Sequence, residues 1–201
     1  HACEGGGEGG NRRVTRTELD GTVTVLADKF DGKRLNSPND LAISSRGAIY
    51  FTDPRYGDRS DLKQFDGEGK EVEGVYRVDP DGTVTRIITH EVDRPNGIAF
   101  SPDERHLYVA DNVNDGPKGL GGNRKLWRFD HQVDGTVDPK SRKLIYDWGT
   151  DRGPDGMAID AQGRLFVTAG FNFPKPPVET NKEHRAGVYV FSPEGKLLQM
   201  L

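Results

Sequence analysis

Three segments of this chain can be laid over one another almost residue for residue. The first is Ser37-Pro38-Asn39-Asp40-Leu41-Ala42-Ile43, then Gly47, then Ile49-Tyr50-Phe51-Thr52-Asp53. The second is Arg94-Pro95-Asn96-Gly97-Ile98-Ala99-Phe100, then Leu107-Tyr108-Val109-Ala110-Asp111. The third is Gly153-Pro154-Asp155-Gly156-Met157-Ala158-Ile159, then Gly163, then Leu165-Phe166-Val167-Thr168-Ala169. The copies are spaced 57 residues (39 to 96) and 59 residues (96 to 155). Each reads as strand, turn, strand, with β-branched and aromatic runs punctuated by Gly, Pro and Asp.

A second hairpin alternates with the first. It is Arg13-Val14-Thr15-Arg16 with Asp20-Gly21-Thr22-Val23, then Val75-Tyr76-Arg77-Val78 with Asp81-Gly82-Thr83-Val84. It returns as Leu126-Trp127-Arg128-Phe129 with Asp134-Gly135-Thr136-Val137, and as Val188-Tyr189-Val190-Phe191 with Glu194-Gly195-Lys196. Asp-Gly between two alternating runs is a strong hairpin signal because the turn needs a residue at positive φ. Each period therefore holds four antiparallel strands, the unit of a β-propeller blade. The extra length of the period falls in loops near residues 55–73 and 113–123. No helical periodicity is sustained anywhere, and residues 178–185 allow at most a short helical turn. The fold class is all-β. A sandwich is the alternative, but a sandwich has no need of near-identical repeats.

Composition narrows the function classes. With 33% hydrophobic and 30% charged residues the chain suits a globular protein, and it has no apolar stretch long enough for a membrane span. Its 26 Gly and 12 Pro make it turn-rich without reaching low complexity. The net charge of −4, spread along the chain with no basic stripe, argues against a nucleic-acid partner. A single cysteine, Cys3, excludes an intrachain disulfide framework and a cysteine-based zinc site. The five histidines show no metal-ligand spacing, and there is no nucleophile elbow or phosphate-binding loop.

The repeated Pro-Asn/Asp step is the feature left to explain. Asn39, Asn96 and Asp155 stand just ahead of equivalent strands. If those are the innermost strands of successive blades, three oxygen-bearing side chains meet at one mouth of a central channel. Amide and carboxylate oxygens are hard donors, suited to Ca²⁺, Mg²⁺ or Mn²⁺. Pro-Asn-Gly and Pro-Asp-Gly are also ordinary turn sequences, and the repeat by itself does not choose between turn and ligand. Asp53 and Asp111 end the next strand in two copies, with Ala169 in the third. A strand-end Asp is better read as capping a loop than as a channel residue. Asp79-Pro80-Asp81-Gly82 lacks the Glu of a calcium loop and reads as a turn.

The ordered set of motifs resembles a known family. Cys3-Glu4-Gly5, Asn11-Arg12-Arg13-Val14-Thr15-Arg16, Leu35-Asn36-Ser37-Pro38-Asn39-Asp40 and Ile49-Tyr50-Phe51-Thr52-Asp53-Pro54-Arg55-Tyr56-Gly57 look like bacterial gluconolactonases. These belong to the senescence marker protein / gluconolactonase / luciferin-regenerating-enzyme superfamily, and Arg94-Pro95-Asn96-Gly97 and Gly153-Pro154-Asp155-Gly156-Met157 continue the match. The resemblance implies a six-bladed propeller, of which roughly three and a half to four blades are present. The chain opens on His1 and closes on Leu201 inside apolar runs, so the expectation is one partial propeller domain over 1–201, truncated at both ends.

The resemblance further implies one divalent cation, Ca²⁺ first and Mg²⁺, Mn²⁺ or Zn²⁺ as alternatives. Asn39, Asn96 and Asp155 match three of the family's four ligands. The fourth, a Glu, has no counterpart, and Glu4 sits at the wrong point of the repeat. The implied activity is hydrolysis of a sugar lactone, with Asp155 as general base, Asn39 orienting the substrate or the cation, and Tyr56 lining the substrate pocket. Arg55 stands where many relatives have Pro, and no role is carried over to it. Lacking the Glu, the chain is expected to hold an incomplete site. Competing readings are another metal-dependent propeller esterase or phosphotriesterase, and a non-catalytic binding propeller. The partner is a small molecule, with no nucleic acid or membrane. Cytoplasmic, periplasmic and secreted locations all remain open.

Overall fold

The computed structural model describes residues 1–3, 10–56, 60–114, 122–174, 176, 179–180 and 183–201. It divides into two compact units, His1–Val92 and Asp93–Leu201. Among the described residues there is no helix, and so none long and apolar enough to cross a membrane.

The first unit begins with a three-stranded sheet of β1 (Ala2–Cys3), β2 (Arg13–Thr17) and β3 (Val23–Ala27). A short hairpin follows, β4 (Lys29–Phe30) and β5 (Lys33–Arg34). The next sheet has four antiparallel strands in chain order: β6 (Leu41–Ile43), β7 (Ile49–Asp53), β8 (Gly74–Val78) and β9 (Val84–Ile88). The second unit holds two more such sheets. One is β10 (Pro95–Phe100), β11 (His106–Asn112), β12 (Arg124–His131) and β13 (Val137–Asp147). The other is β14 (Met157–Ile159), β15 (Leu165–Ala169), β16 (Gly187–Phe191) and β17 (Leu197–Met200). Four antiparallel strands in simple meander order form the propeller blade the repeat predicts.

The same turn chemistry closes the second hairpin in all four copies. Gly21, Gly82, Gly135 and Gly195 have φ of 87°, 88°, 83° and 90°. In each copy the glycine N–H donates to the carbonyl three residues back, at 2.9–3.0 Å (Glu18, Asp79, Gln132, Ser192). Only glycine adopts that φ without cost, so one residue sets the register of each outer strand pair. The second copy of the inner hairpin is one residue longer and places Glu104 at positive φ, 54°. With that insertion Ile98 pairs with Val109, 11 residues on, where Leu41 pairs with Phe51, 10 residues on.

Burial is graded across each blade. β8, β10 and β11 are buried almost throughout, whereas β13 and β17 are largely exposed. β8 and β11 have paired neighbours on both edges and read as continuous apolar runs; the outer strands β13 and β17 do not. β13 meets solvent with Pro139, Lys140, Arg142 and Lys143, residues that discourage pairing with another strand. In the first unit Val14, Leu35, Phe51 and Tyr76 are fully buried, with Phe51 and Tyr76 stacked at 5.5 Å. In the second, Trp148 is fully buried and meets Tyr146, Tyr189 and Phe191 edge-on or tilted, at centroid distances of 4.8, 5.5 and 6.2 Å.

Two buried carboxylates fix the loops that enter the innermost strands. Asp53, at the end of β7, accepts the Asn36 and Ser37 N–H groups at 2.8 and 2.7 Å. Asp111, in β11, accepts the Arg94 and Asp93 N–H groups at 3.0 and 3.2 Å and the Trp127 indole N–H at 3.2 Å. The loop-capping reading of these residues is thus borne out. Burial dominates both groups and outweighs the donated hydrogen bonds, pushing the Asp53 carboxyl up to about 7 and that of Asp111 to about 6.

Between about pH 4 and 7 the folded chain therefore retains a proton at Asp53 that the unfolded chain has released. This contribution to stability is full at low pH and is lost as pH rises toward 7. The stability gap between wild type and Asp53→Asn is expected to narrow by roughly 1 kcal/mol per pH unit from pH 5 to 7. Urea denaturation at several pH values measures it, and a constant gap contradicts this account. Asp111→Ala strands three donors and is expected to cost roughly 2–4 kcal/mol, more at pH 5 than at pH 7.

Candidate functional site

Asn39 and Asp155 stand two residues ahead of β6 and β14, and Asn96 is the second residue of β10. Asn39 N–H donates to the Thr52 carbonyl at 2.9 Å, and Asp155 N–H makes the equivalent bond to Thr168 at 2.8 Å. Thr52 and Thr168 return bonds to the carbonyls of Asp40 and Gly156, both at 3.0 Å. Asn96 takes the same place in β10, where the ladder to β11 shifts register between Pro95 and Ile98. The Pro ahead of each donor presets φ, and the polar residue after it starts the strand.

Asn96 and Asp155 are brought together by backbone. The Gly97 N–H donates to the Asp155 carbonyl at 3.0 Å, joining the starts of β10 and β14. A Cβ at position 97 would lie 2.3 Å from that carbonyl oxygen and 3.1 Å from the Gly156 Cα. Glycine is required there for closeness rather than for an unusual φ. Asn96 is buried at 6% exposure. Asp155 is exposed, and among the described residues its carboxylate has no hydrogen-bond partner. Asn39 lies half-buried in the first unit.

Tyr56 is half-buried at the end of a tied loop in the first unit. The preceding residue, Arg55, donates its backbone N–H to Glu73 Oε2 at 2.6 Å and its Nε to Asp61 Oδ1 at 3.0 Å. Arg12, fully buried at φ 42°, also donates to Asp61. Beneath them Asn36 Nδ2 donates to the Val72 carbonyl at 2.9 Å, and Asn36 Oδ1 accepts the Lys63 N–H at 3.0 Å. Sequence reasoning passed over this network; the only local hint was charge density in a long loop. Glu4 lies outside the described residues.

The donor set is chemically consistent with a hard cation: two amide oxygens and one carboxylate, with one negative charge between them. Among the described residues no three His, Cys, Asp or Glu side chains come together as a metal-binding group.

Comparison with known proteins places the chain. Residues 7–201 match the family model described as the SMP-30/Gluconolactonase/LRE-like region. The chain belongs to this family. It is 37% identical over 189 residues to a gluconolactonase of Zymomonas mobilis, covering 89% of this chain and 45% of that protein. The structure of a Xanthomonas campestris gluconolactonase aligns with a TM-score of 0.70 and 33% identity, over 96% of this chain and 56% of that one. Regucalcin from Agrobacterium tumefaciens, described as a calcium-binding protein, aligns with a TM-score of 0.63 and 18% identity, over 94% of this chain and 54% of that one, and shares the fold. The chain thus spans about half the length of these family relatives, and its all-β sheets have the propeller architecture of that family.

Gly97→Ala tests the backbone contact that joins the two donors. It is expected to cost roughly 1–3 kcal/mol through overpacking against backbone. Gly67→Ala, where a Cβ meets nothing within 4 Å, serves as the control. Equal stability of the two variants in chemical denaturation contradicts the contact.

Proposed function

We propose that this chain carries the main part of a cation-assisted lactone-hydrolysing site, on four consecutive blades of a six-bladed propeller. The observation that supports the reading is the Gly97–Asp155 backbone bond, which brings the backbones at Asn96 and Asp155 together at the starts of two innermost strands. Membership of a family that includes proteins named gluconolactonase supports the substrate class. Asn39, Asn96 and Asp155 are the residues proposed to hold the cation, Ca²⁺ by preference, with a Glu from outside this sequence as the fourth ligand. When bound, a divalent cation polarises a carbonyl and stabilises the negative charge that develops on its oxygen.

The rest of the chemistry belongs to the chain's own side chains. Asp155 accepts a proton from the water that attacks the lactone carbonyl carbon. The ring C–O bond then breaks, and the same proton passes to the departing ring oxygen to give the open hydroxy acid. Asn39 orients ring oxygens, and Tyr56 lines the pocket on a loop held by Arg55, Asp61 and Glu73.

Hydrolysis of gluconolactone, followed in a pH-stat above the spontaneous rate, tests the proposal. Asp155→Asn is expected to lower kcat by about 10²-fold or more, and chelator is expected to lower it in the wild type. Full activity of the variant, indifference to chelator, or turnover of aryl esters or phosphotriesters but not of lactones each overturns the reading.

A further inference from the structure

The loop that carries Asp155 is held differently from its two counterparts. In the first two copies a carboxylate at the end of the following strand, Asp53 or Asp111, accepts the N–H two residues before the donor, from Ser37 or Arg94. In the third copy that carboxylate position is Ala169, which offers no side-chain acceptor. The N–H in question is that of Gly153, and it donates instead to Asn114 Oδ1 at 3.1 Å. Asn114 comes from the neighbouring sheet, just after β11, and is itself tethered. Arg124 Nη2 donates to its carbonyl at 3.4 Å, and its own Nδ2 donates to Asn112 Oδ1.

Arg124 closes the arrangement from below. It is fully buried, and its Cβ lies 2.8 Å from where a side chain at 153 would begin. Gly153 can therefore run directly over Arg124, with its N–H aimed at Asn114. Between Gly153 and Asp155 stands Pro154, whose ring fixes one of the few backbone angles that remain. Anchoring the Gly153 N–H thus limits where the Asp155 side chain can go.

We propose that Asn114 is the positioning residue for Asp155, supplying from the adjacent sheet the acceptor that Ala169 does not offer. The inference rests on the role given to Asp155 above. It also specifies a rescue: residues 152 and 153 stand 17 and 16 positions before 169, the separations at which Asp53 accepts from Asn36 and Ser37. An Asp at 169 can take over the task.

Amide-resolved hydrogen exchange and calorimetric Ca²⁺ titration of the 201-residue chain test this, with thermal unfolding to confirm the folded state. Asn114→Ala is expected to lose protection at the Gly153 amide and to bind Ca²⁺ about tenfold more weakly. Asn114→Asp is expected to keep both, and Asn114→Ala combined with Ala169→Asp to regain both. If the alanine variant does not fold, Asn114→Ser, with its shorter reach, is expected to show the same losses. Unchanged Gly153 protection in Asn114→Ala or Asn114→Ser, or failure of both Asn114→Asp and the Ala169→Asp combination to retain it, overturns the proposal. Absence of Ca²⁺ binding by the wild type, with Gly153 protection still dependent on Asn114, overturns the cation reading and supports the positioning one.

Discussion

A single backbone hydrogen bond, from the Gly97 N–H to the Asp155 carbonyl, is the constraint on which the site in the second unit depends. It joins the entry of β14 to the start of β10, and it forms only because position 97 has no side chain. Asn96 and Asp155 are neighbours as a consequence. No attraction between their side chains is needed to bring the two residues together. A site assembled from strand entries inherits the rigidity of the sheets behind it, which suits a role that needs donors preplaced.

The entries in turn depend on acceptors buried behind them. Asp53 and Asp111 hold the first two loops at a cost, since removing a carboxylate from water drives its proton affinity up. Two or three donated N–H groups only partly offset that burial. The third loop avoids a buried carboxylate and relies on a neutral amide, Asn114, backed by the buried cation of Arg124. The three loops reach one backbone geometry by two electrostatic routes.

Much of the scaffold was legible in the sequence because it is written locally. The Asp-Gly turns announced the second hairpin in three copies and Glu-Gly in the fourth, and their glycines take the positive φ that the signal requires. The Pro-Asn/Asp step marked the strand entries. What was not legible acts at a distance. Nothing around Asn114 signals that its amide serves a glycine 39 residues later, and nothing around Arg12 or Arg124 signals complete burial, since arginine is usually exposed. The β4–β5 hairpin is a different case: Asp31-Gly32, at φ 51° and 72°, was an available turn signal that was passed over beside the more regular copies.

The central proposal is that Asn96 and Asp155 belong to an oxygen-donor site for a hard cation. Paramagnetic Mn²⁺ titration of the isotope-labelled chain, read by amide line broadening, examines it most directly. The account predicts that the first resonances to broaden are those of Asn96, Gly97, Asp155 and Gly156, together with Asn39 and Asp40, and that Asp155→Asn suppresses the effect. Broadening that begins at the exposed acidic turns around Asp20, Asp81 or Asp134, and is unchanged by Asp155→Asn, would contradict it.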